Sequence, residues 1–391
     1  MHRLTASVII LGLAQALALA AHGYLYFEVE PKIFTTYQLW LAVVNIFIPL
    51  IVSRNETRLV ASEKHLEFLP LAVSWSRNIT AVLILTMPPI AFYFFSISPL
   101  IVFLAVLQAL TMAFVLFAIH LTILEQSLLR VNILRSVTIM LPPVSAVLAA
   151  ATYSVDSLSL VIFHFVSTLM LFMYILTQNK NFKKSVISGS CLPTTYRLDL
   201  LKSGGIASVN SLARQLPLIF VNTFQNTNLT ADFALVQRIY NAPQSVVGSV
   251  ATDFLKKKYV EGKLVGKRAM FVVTTLFINL LIFSTILLIM IFTSNVIDND
   301  RSDNLITLSL VIIIPFVMRS VSSPLSAILI LKDKFTKDMM FQLVLVTTTV
   351  LTFACVDTIE AYIAVFSIVT SLFYLVYGFV SFREMRVNKD D

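Results

Sequence analysis

Long, uninterrupted apolar runs constrain this chain more than any other feature. Twelve of them have close to the ~20 residues that an α-helix needs to cross a hydrocarbon core. They lie at roughly 4–27, 34–52, 78–97, 99–121, 136–154, 157–177, 203–224, 231–254, 269–293, 304–330, 339–356 and 359–380. A membrane β-barrel would show short alternating segments, and none are visible. Hydrophobic residues make up 58% of the 391 and charged residues only 13%. A soluble domain of this size could not enclose so much apolar surface in one core. The sequence therefore predicts an all-α integral membrane protein of about twelve transmembrane helices.

A net charge of +8 would suit a nucleic-acid binder, but its distribution says otherwise. With the N-terminus inside, the cytoplasmic connections carry Arg54, Arg58 and Lys64, then Arg130 and Arg135, then Lys180, Lys183, Lys184, Arg197 and Lys202. Further on they carry Lys256, Lys257, Lys258, Lys263, Lys267 and Arg268, and Lys332, Lys334 and Lys337. Arg3, Arg383, Arg386 and Lys389 lie near the termini. The opposite face has only Lys32 and Arg301, beside Glu28, Glu30, Asp156, Asp298, Asp300, Asp303, Asp357 and Glu360. This is the positive-inside pattern. It predicts a multi-pass protein of the bacterial inner (cytoplasmic) membrane with both termini cytoplasmic, and it argues against nucleic acid as a partner.

The start of the chain has two readings. Met1-His2-Arg3, an apolar stretch and Ala-Leu-Ala-Leu-Ala-Ala-His-Gly resemble a cleavable signal. The apolar run continues through Tyr24-Leu25-Tyr26-Phe27, long enough to span, so the first helix is expected to be retained. Near the midpoint, the polar stretch from Gln178 to Lys202 separates six spans from six. The expected organisation is an N-terminal six-helix bundle at 1–180, a cytoplasmic linker at 181–199 and a C-terminal six-helix bundle at 200–391. An internal echo supports two similar halves: FIPLIVSRNETRLVASEKHLE (47–67) and VVGSVATDFLKKKYVEGKLVG (246–266) each join an apolar helix end to a charged stretch.

Four basic residues fall near or within spans: Arg77, Arg214, Arg238 and Arg319. An arginine at the centre of a spanning helix costs about 2.5–3.5 kcal/mol on insertion scales, so these must face protein or water. Helical phase aligns Gly204, Ser208, Ser211, Gln215 and Asn222 on the seventh span, with Arg214 at their flank. On the eighth, Gln237, Arg238, Asn241, Gln244, Ser245, Gly248 and Thr252 share a side. On the tenth, Pro315, Arg319, Ser322, Ser323 and Ser326 do so. Arg77 lies at an edge, where Ser74-Trp75-Ser76-Arg77 also reads as an interfacial anchor.

The spans show almost no carboxylates to balance these charges, since Glu125, Asp232 and Asp253 are assigned to helix ends. The expectation is a cationic cavity built from Arg214, Arg238, Arg319 and Arg77. Ser208, Ser211, Gln215, Gln237, Asn241, Gln244 and Ser322 would line it, and an anion would occupy it, because guanidinium pairs well with phosphate. The competing reading makes each arginine a structural pin bonded to helix carbonyls, amides or a nearby acid.

Other features carry less. Cys191 and Cys355 fall on opposite sides of the membrane in this topology and form neither a disulfide nor a metal site. His22, His120 and His164 lack ligand spacing and suit interhelical hydrogen bonds. The Pro88-Pro89 and Pro142-Pro143 pairs mark bends. No phosphate-binding G-x-x-x-x-G-K-[ST] loop occurs, so ATP is not used directly. No nucleophile–base set or metal cluster appears, so neither an enzyme nor a cofactor is expected.

The stretch 200–254 resembles the seventh and eighth helices of Wzx-type polysaccharide flippases. The residues that carry the likeness are Gly204, Gly205, Gln215-Leu216-Pro217, Ala234 to Ile239, Pro243 and Gly248. The connection 51–76, with Arg54 and Glu56, is similar to that family's charged loop. The family's Gly-containing turn after the first helix is replaced here by FEVEPKIFTTYQLW. The resemblance implies a member of the multidrug/oligosaccharidyl-lipid/polysaccharide (MOP) exporter superfamily, with a MATE-like, V-shaped, alternating-access fold. It also implies a cargo, a polyprenyl-diphosphate-linked oligosaccharide for surface polysaccharide biosynthesis. The prenyl tail would stay in membrane lipid, and a polysaccharide polymerase and chain-length regulator would be partners. The rivals are a cation-coupled multidrug exporter of the same superfamily, disfavoured because organic cations call for intramembrane carboxylates, and a membrane-embedded polymerase or glycosyltransferase. The outer loops are too short for the latter.

Overall fold

The computed structural model describes residues 2–53, 55, 65–95, 98–125, 128–152, 155–187, 194–260, 268–297, 300–331 and 335–384. Among these residues there are thirteen helices. The N-terminal series is α1 (His2–Glu28), α2 (Pro31–Val52), α3 (His65–Phe95), α4 (Pro99–Glu125), α5 (Leu128–Thr152), α6 (Ser157–Gln178) and the short α7 (Lys180–Ile187). It is followed by α8 (Thr194–Thr223), α9 (Thr227–Val260), α10 (Arg268–Ile297), α11 (Asp300–Leu331), α12 (Phe335–Ala354) and α13 (Ile359–Glu384). Each of the twelve expected spans falls on one long helix. Among the described residues, nine helices meet a strict length-and-hydropathy standard for crossing a membrane, and α8, α9 and α12 do not.

Local chemistry sets the helix ends. Pro31 opens α2, where its missing N–H costs nothing. Ser53 closes it in the left-handed region at φ 49°, its N–H bonded to the Pro49 carbonyl at 2.8 Å. Asp156 caps α6 by accepting from the Ser159 backbone N–H at 2.8 Å. The Ser159 hydroxyl and N–H together hold the Asp156 carboxyl below the usual carboxylate range. Asn179 caps α7 by accepting from the Phe182 N–H at 2.9 Å.

Two elements differ from the sequence expectation. α3 begins at His65 rather than near 78, so Arg77 sits well inside it. Residues 180–187, read as loop, form α7, because Phe182 is fully buried and packs edge-on against Phe172. Residues 54 and 56–64, which hold Arg54, Glu56, Arg58 and Lys64, and residues 188–193, with Cys191, lie outside the described residues. α9, at 34 residues, is about 51 Å long, well beyond a ~30 Å hydrocarbon core.

The chain divides into two compact units, Met1–Gln215 and Leu216–Asp391, with the boundary inside α8. In the first unit α4 is central and packs against α2, α3, α5 and α6, while α1 lies along α5. In the second, α11 is central and packs against α9, α10, α12 and α13. Counting only the twelve long helices, the central one is the fourth of its six in each case.

Proline placement explains two hydrogen bonds between helices. Pro49 cannot donate to the carbonyl four residues back, that of Asn45, and Pro315 likewise leaves the Val311 carbonyl without its helical donor. In lipid an orphaned carbonyl must be satisfied by a neighbouring element. Ser211 Oγ of α8 donates to the Asn45 carbonyl, and Ser367 Oγ of α13 donates to that of Val311. Small residues let the backbones approach this closely. A Cβ on Gly204 would collide with Ser53 Oγ across the α2–α8 contact, and one on Gly378 would lie 3.3 Å from Ser322 Cβ across α11–α13.

Ser367→Ala should therefore destabilise the protein by about 1–3 kcal/mol. Adding Pro315→Ala, which restores an N–H to the Val311 carbonyl, should recover most of that loss. Thermal unfolding of both single variants and the double variant completes the cycle. A double variant no more stable than Ser367→Ala contradicts the pairing.

Candidate functional site

The four arginines differ sharply in environment. Arg77 on α3 is exposed, with Nη1 donating at 3.5 Å to the Val186 carbonyl of α7. Arg214 on α8 is exposed, and Arg238 on α9 is half-buried. Arg319 on α11 is only 8% exposed. Helix register fixes their heights within each unit. In the first, Ser211 meets Asn45 and Ser76 Oγ donates to the Ile51 carbonyl at 2.9 Å. Arg77 and Arg214 are thus about eight α2 residues, or about 12 Å, apart in height. In the second, Tyr240 Oη donates to the Ser309 carbonyl at 3.4 Å and Leu255 packs with Leu325, so α9 and α11 run parallel. Arg238 and Arg319 are then about eleven residues, or about 16 Å, apart in height. Neither pair is brought to one level.

The expected polar lining also divides. Ser208 and Ser211 are half-buried and spend their hydroxyls on the carbonyls of Gly204 and Asn45. Gln215 and Asn241 are half-buried, while Gln237 and Gln244 are buried on the α9 stripe that includes Tyr240. Ser322 is buried, its Oγ 3.3 Å from the Arg319 carbonyl.

Arg319 has the most pronounced electrostatics. Its guanidinium lies 6.0 Å from the ring centroid of Tyr374, a cation–π contact across α11–α13. Its Nη2 is buried without a hydrogen-bond partner among the described residues. Gln244, with both amide atoms unpartnered, and Thr370, with its hydroxyl unpartnered, are buried too.

The second unit also buries carboxylates. Asp232 on α9 is 1% exposed. Asp338 on α12 is 6% exposed and accepts a hydrogen bond from Tyr377 Oη of α13. Lys337 Nζ donates to Glu384 Oε1 at 2.7 Å beside it. Asp232 lies in the second turn of α9 and Asp338 in the first turn of α12, so both are buried near helix ends, where the sequence also puts Asp232.

In the first unit, folding gathers titratable rings that are far apart in sequence. Tyr37 Oη and His164 Nδ1 are 2.8 Å apart, bridging α2 and α6. His22 of α1 stacks on Tyr37 with centroids 6.1 Å apart, and Trp40 meets His164 edge-on at 5.0 Å. His22 Nδ1 donates to its own helix at the Ala18 carbonyl, 2.7 Å away. Below His164, Gln108 Nε2 of α4 donates to Thr168 Oγ1 at 2.9 Å. Of the three histidines, His164 makes the interhelical bond that the sequence suggested, whereas His22 and His120 bond carbonyls of their own helices. Among the described residues no group of acids, histidines or cysteines could hold a metal ion.

No family model matches the chain, and no curated protein matches it. Solved structures do, over nearly its whole length. An inward-facing multidrug resistance MATE family transporter of the MOP superfamily aligns with TM-score 0.67 at 15% identity, covering 95% of this chain and 94% of that one. An outward-facing structure of such a transporter aligns with TM-score 0.61 at 11% identity, covering 98% and 97%. A MATE protein in complex with MaL6 aligns with TM-score 0.63 at 12% identity, covering 97% and 96%.

These matches overturn the expected Wzx-type flippase, and with it the lipid-linked oligosaccharide cargo and the polymerase and chain-length partners. The residues behind that resemblance report helix packing rather than cargo. Leu216, Pro217, Ala234, Leu235 and Val236 are all buried. The matched proteins are transporters, in line with the expectation that the chain is not an enzyme. The protein is a multi-pass integral membrane protein with the all-α fold of MATE transporters.

Proposed function

We propose that the protein is a cation-coupled exporter of organic cations and drug-like molecules. The observation that carries this is the full-length likeness to multidrug transporters, with more than nine-tenths of both chains covered in an inward-facing and an outward-facing form. Buried Asp232 and Asp338 supply acids to the second unit, each within the first two turns of its helix. The coupling group is assigned to the His22–Tyr37–His164 cluster of the first unit. The His164 imidazole bonds a phenol across two helices, so a cation exchanged there changes how α2 and α6 hold each other. The groups facing it are His22 from α1 and Tyr37 from α2. α4 and α5 contribute neutral side chains, Gln108 through Thr168 and Ser145 through Ser167.

Expression in cells stripped of their own exporters should lower accumulation of a fluorescent lipophilic cation such as ethidium. His164→Phe should abolish that difference while the variant still inserts. Equal accumulation with and without the wild-type protein sinks the exporter reading. A His164→Phe variant that pumps normally across the pH range sinks the coupling assignment alone.

Both termini are placed in the cytoplasm on the strength of the loop charges. Exposed Cys355, just beyond α12, then faces outward. A membrane-impermeant maleimide applied to intact cells should label the wild-type protein and Cys191→Ser, but not Cys355→Ser. The reverse pattern inverts the topology.

A further inference from the structure

We infer that the C-terminal unit holds a built binding site for a compact monovalent inorganic anion, centred on Arg319. The buried polar atoms of this unit with no partner among the described residues include Arg319 Nη2, both amide atoms of Gln244 and Thr370 Oγ1, on side chains each more than nine-tenths buried; Gln342 Oε1, Tyr362 Oη and Ser381 Oγ are others. The first three come from α11 and from α9 and α13, each of which packs against α11.

Register brings them to one place along α11. α13 runs parallel to α11, with Ser367 at Val311, Tyr374 at Arg319 and Gly378 at Ser322. Thr370, between Ser367 and Tyr374, therefore lies level with the turn at Pro315. On α9, Gln244 is one turn beyond Tyr240, which contacts Ser309 and Phe316 of α11, and before Leu255, which packs with Leu325. That also puts Gln244 level with Pro315, about 7 Å in height from Arg319, within reach of two long side chains. Pro315 lies within the central helix at that level, and its freed Val311 carbonyl is already satisfied by Ser367.

Chemistry selects the occupant. A guanidinium has five N–H donors and no acceptor, and the Tyr374 ring occupies only its face. No carboxylate among the described residues pairs with Arg319. An isolated charge at this depth requires a counter-charge, and a single guanidinium calls for a single negative one. The Gln244 amide and the Thr370 hydroxyl can both donate to the same ion. Chloride fits the charge, the size and the donor set.

The test uses the full-length protein purified in detergent with gluconate as the sole anion. Titrating chloride should raise the unfolding temperature and then saturate, as linkage requires for a specific site. Gln244→Leu, which keeps the charge, should weaken the apparent chloride affinity about tenfold, the loss of one hydrogen bond to a charged group. Arg319→Gln should abolish the response. Crystals or particles of wild-type protein grown in bromide should show anomalous density beside the guanidinium, a readout that does not depend on a variant folding. A response that fails to saturate, equal responses in wild type and Arg319→Gln, or no bromide signal at Arg319 overturns the site. Export of organic cations is read separately, so either proposal can fail alone.

Discussion

The fold depends on satisfying backbone polar groups where no water is available. In a bilayer a helix bonds its own carbonyls, and proline removes that option at one position per ring. This chain places prolines inside half of its twelve long helices and supplies the missing donor from a neighbouring helix in two of them. Ser211 serves Asn45 on behalf of Pro49, and Ser367 serves Val311 on behalf of Pro315. Each substitute donor demands close approach, which Gly204 and Gly378 permit by carrying no side chain at the crossings. Lost backbone donors and helix pairing are thus tied to the same residues.

Charge is handled by the same logic, with less complete closure. Arg77 and Arg214 stay exposed, Lys337 pairs with Glu384, and Asp338 takes a hydroxyl from Tyr377. Of the four span arginines Arg319 is the buried one, and its Nη2 has no partner among the described residues, in the unit where Gln244, Thr370, Tyr362 and Ser381 also hold open polar atoms. Buried polar networks that are only partly satisfied are costly. Arg319, Gln244 and Thr370 lie on α11 and on the two helices packed against it near the level of Pro315, which suits the anion inferred for that unit. In the first unit the polar core is neutral and aromatic instead, built on the Tyr37–His164 bond.

The helices were legible in the sequence because spanning segments announce themselves by length and apolarity. All twelve expected spans coincide with long helices, and the start of α3 was misplaced because its first turns, around Pro70, are only half apolar. The short α7 was invisible at that level, since eight residues held by Phe182 and an Asn179 cap leave no periodic trace. Arg319 was legible as a buried charge and Arg77 was already set apart at a span edge, while Arg214 was not distinguishable from Arg319, because helical phase gives a direction but no depth. Thr370 was missed although Ser367, Thr370, Tyr374, Gly378 and Ser381 repeat at three and four residues. That stripe was readable as a packing face. The convergence of His22, Tyr37 and His164 was not readable, since it exists only once α1, α2 and α6 are assembled. The cargo was misread because small and apolar packing residues were taken as a signature of what is carried.

The proline–serine pairings have a consequence for how such a chain can change over time. A hydroxyl that replaces a lost amide hydrogen is needed only while the proline remains. If position 315 reverts to an ordinary residue, position 367 is released to vary, and a new proline elsewhere in a span tends to persist only beside a suitable hydroxyl. Positions 49 and 211, and 315 and 367, should therefore drift as linked pairs among descendants of this sequence, although each pair is separated by more than fifty residues of chain.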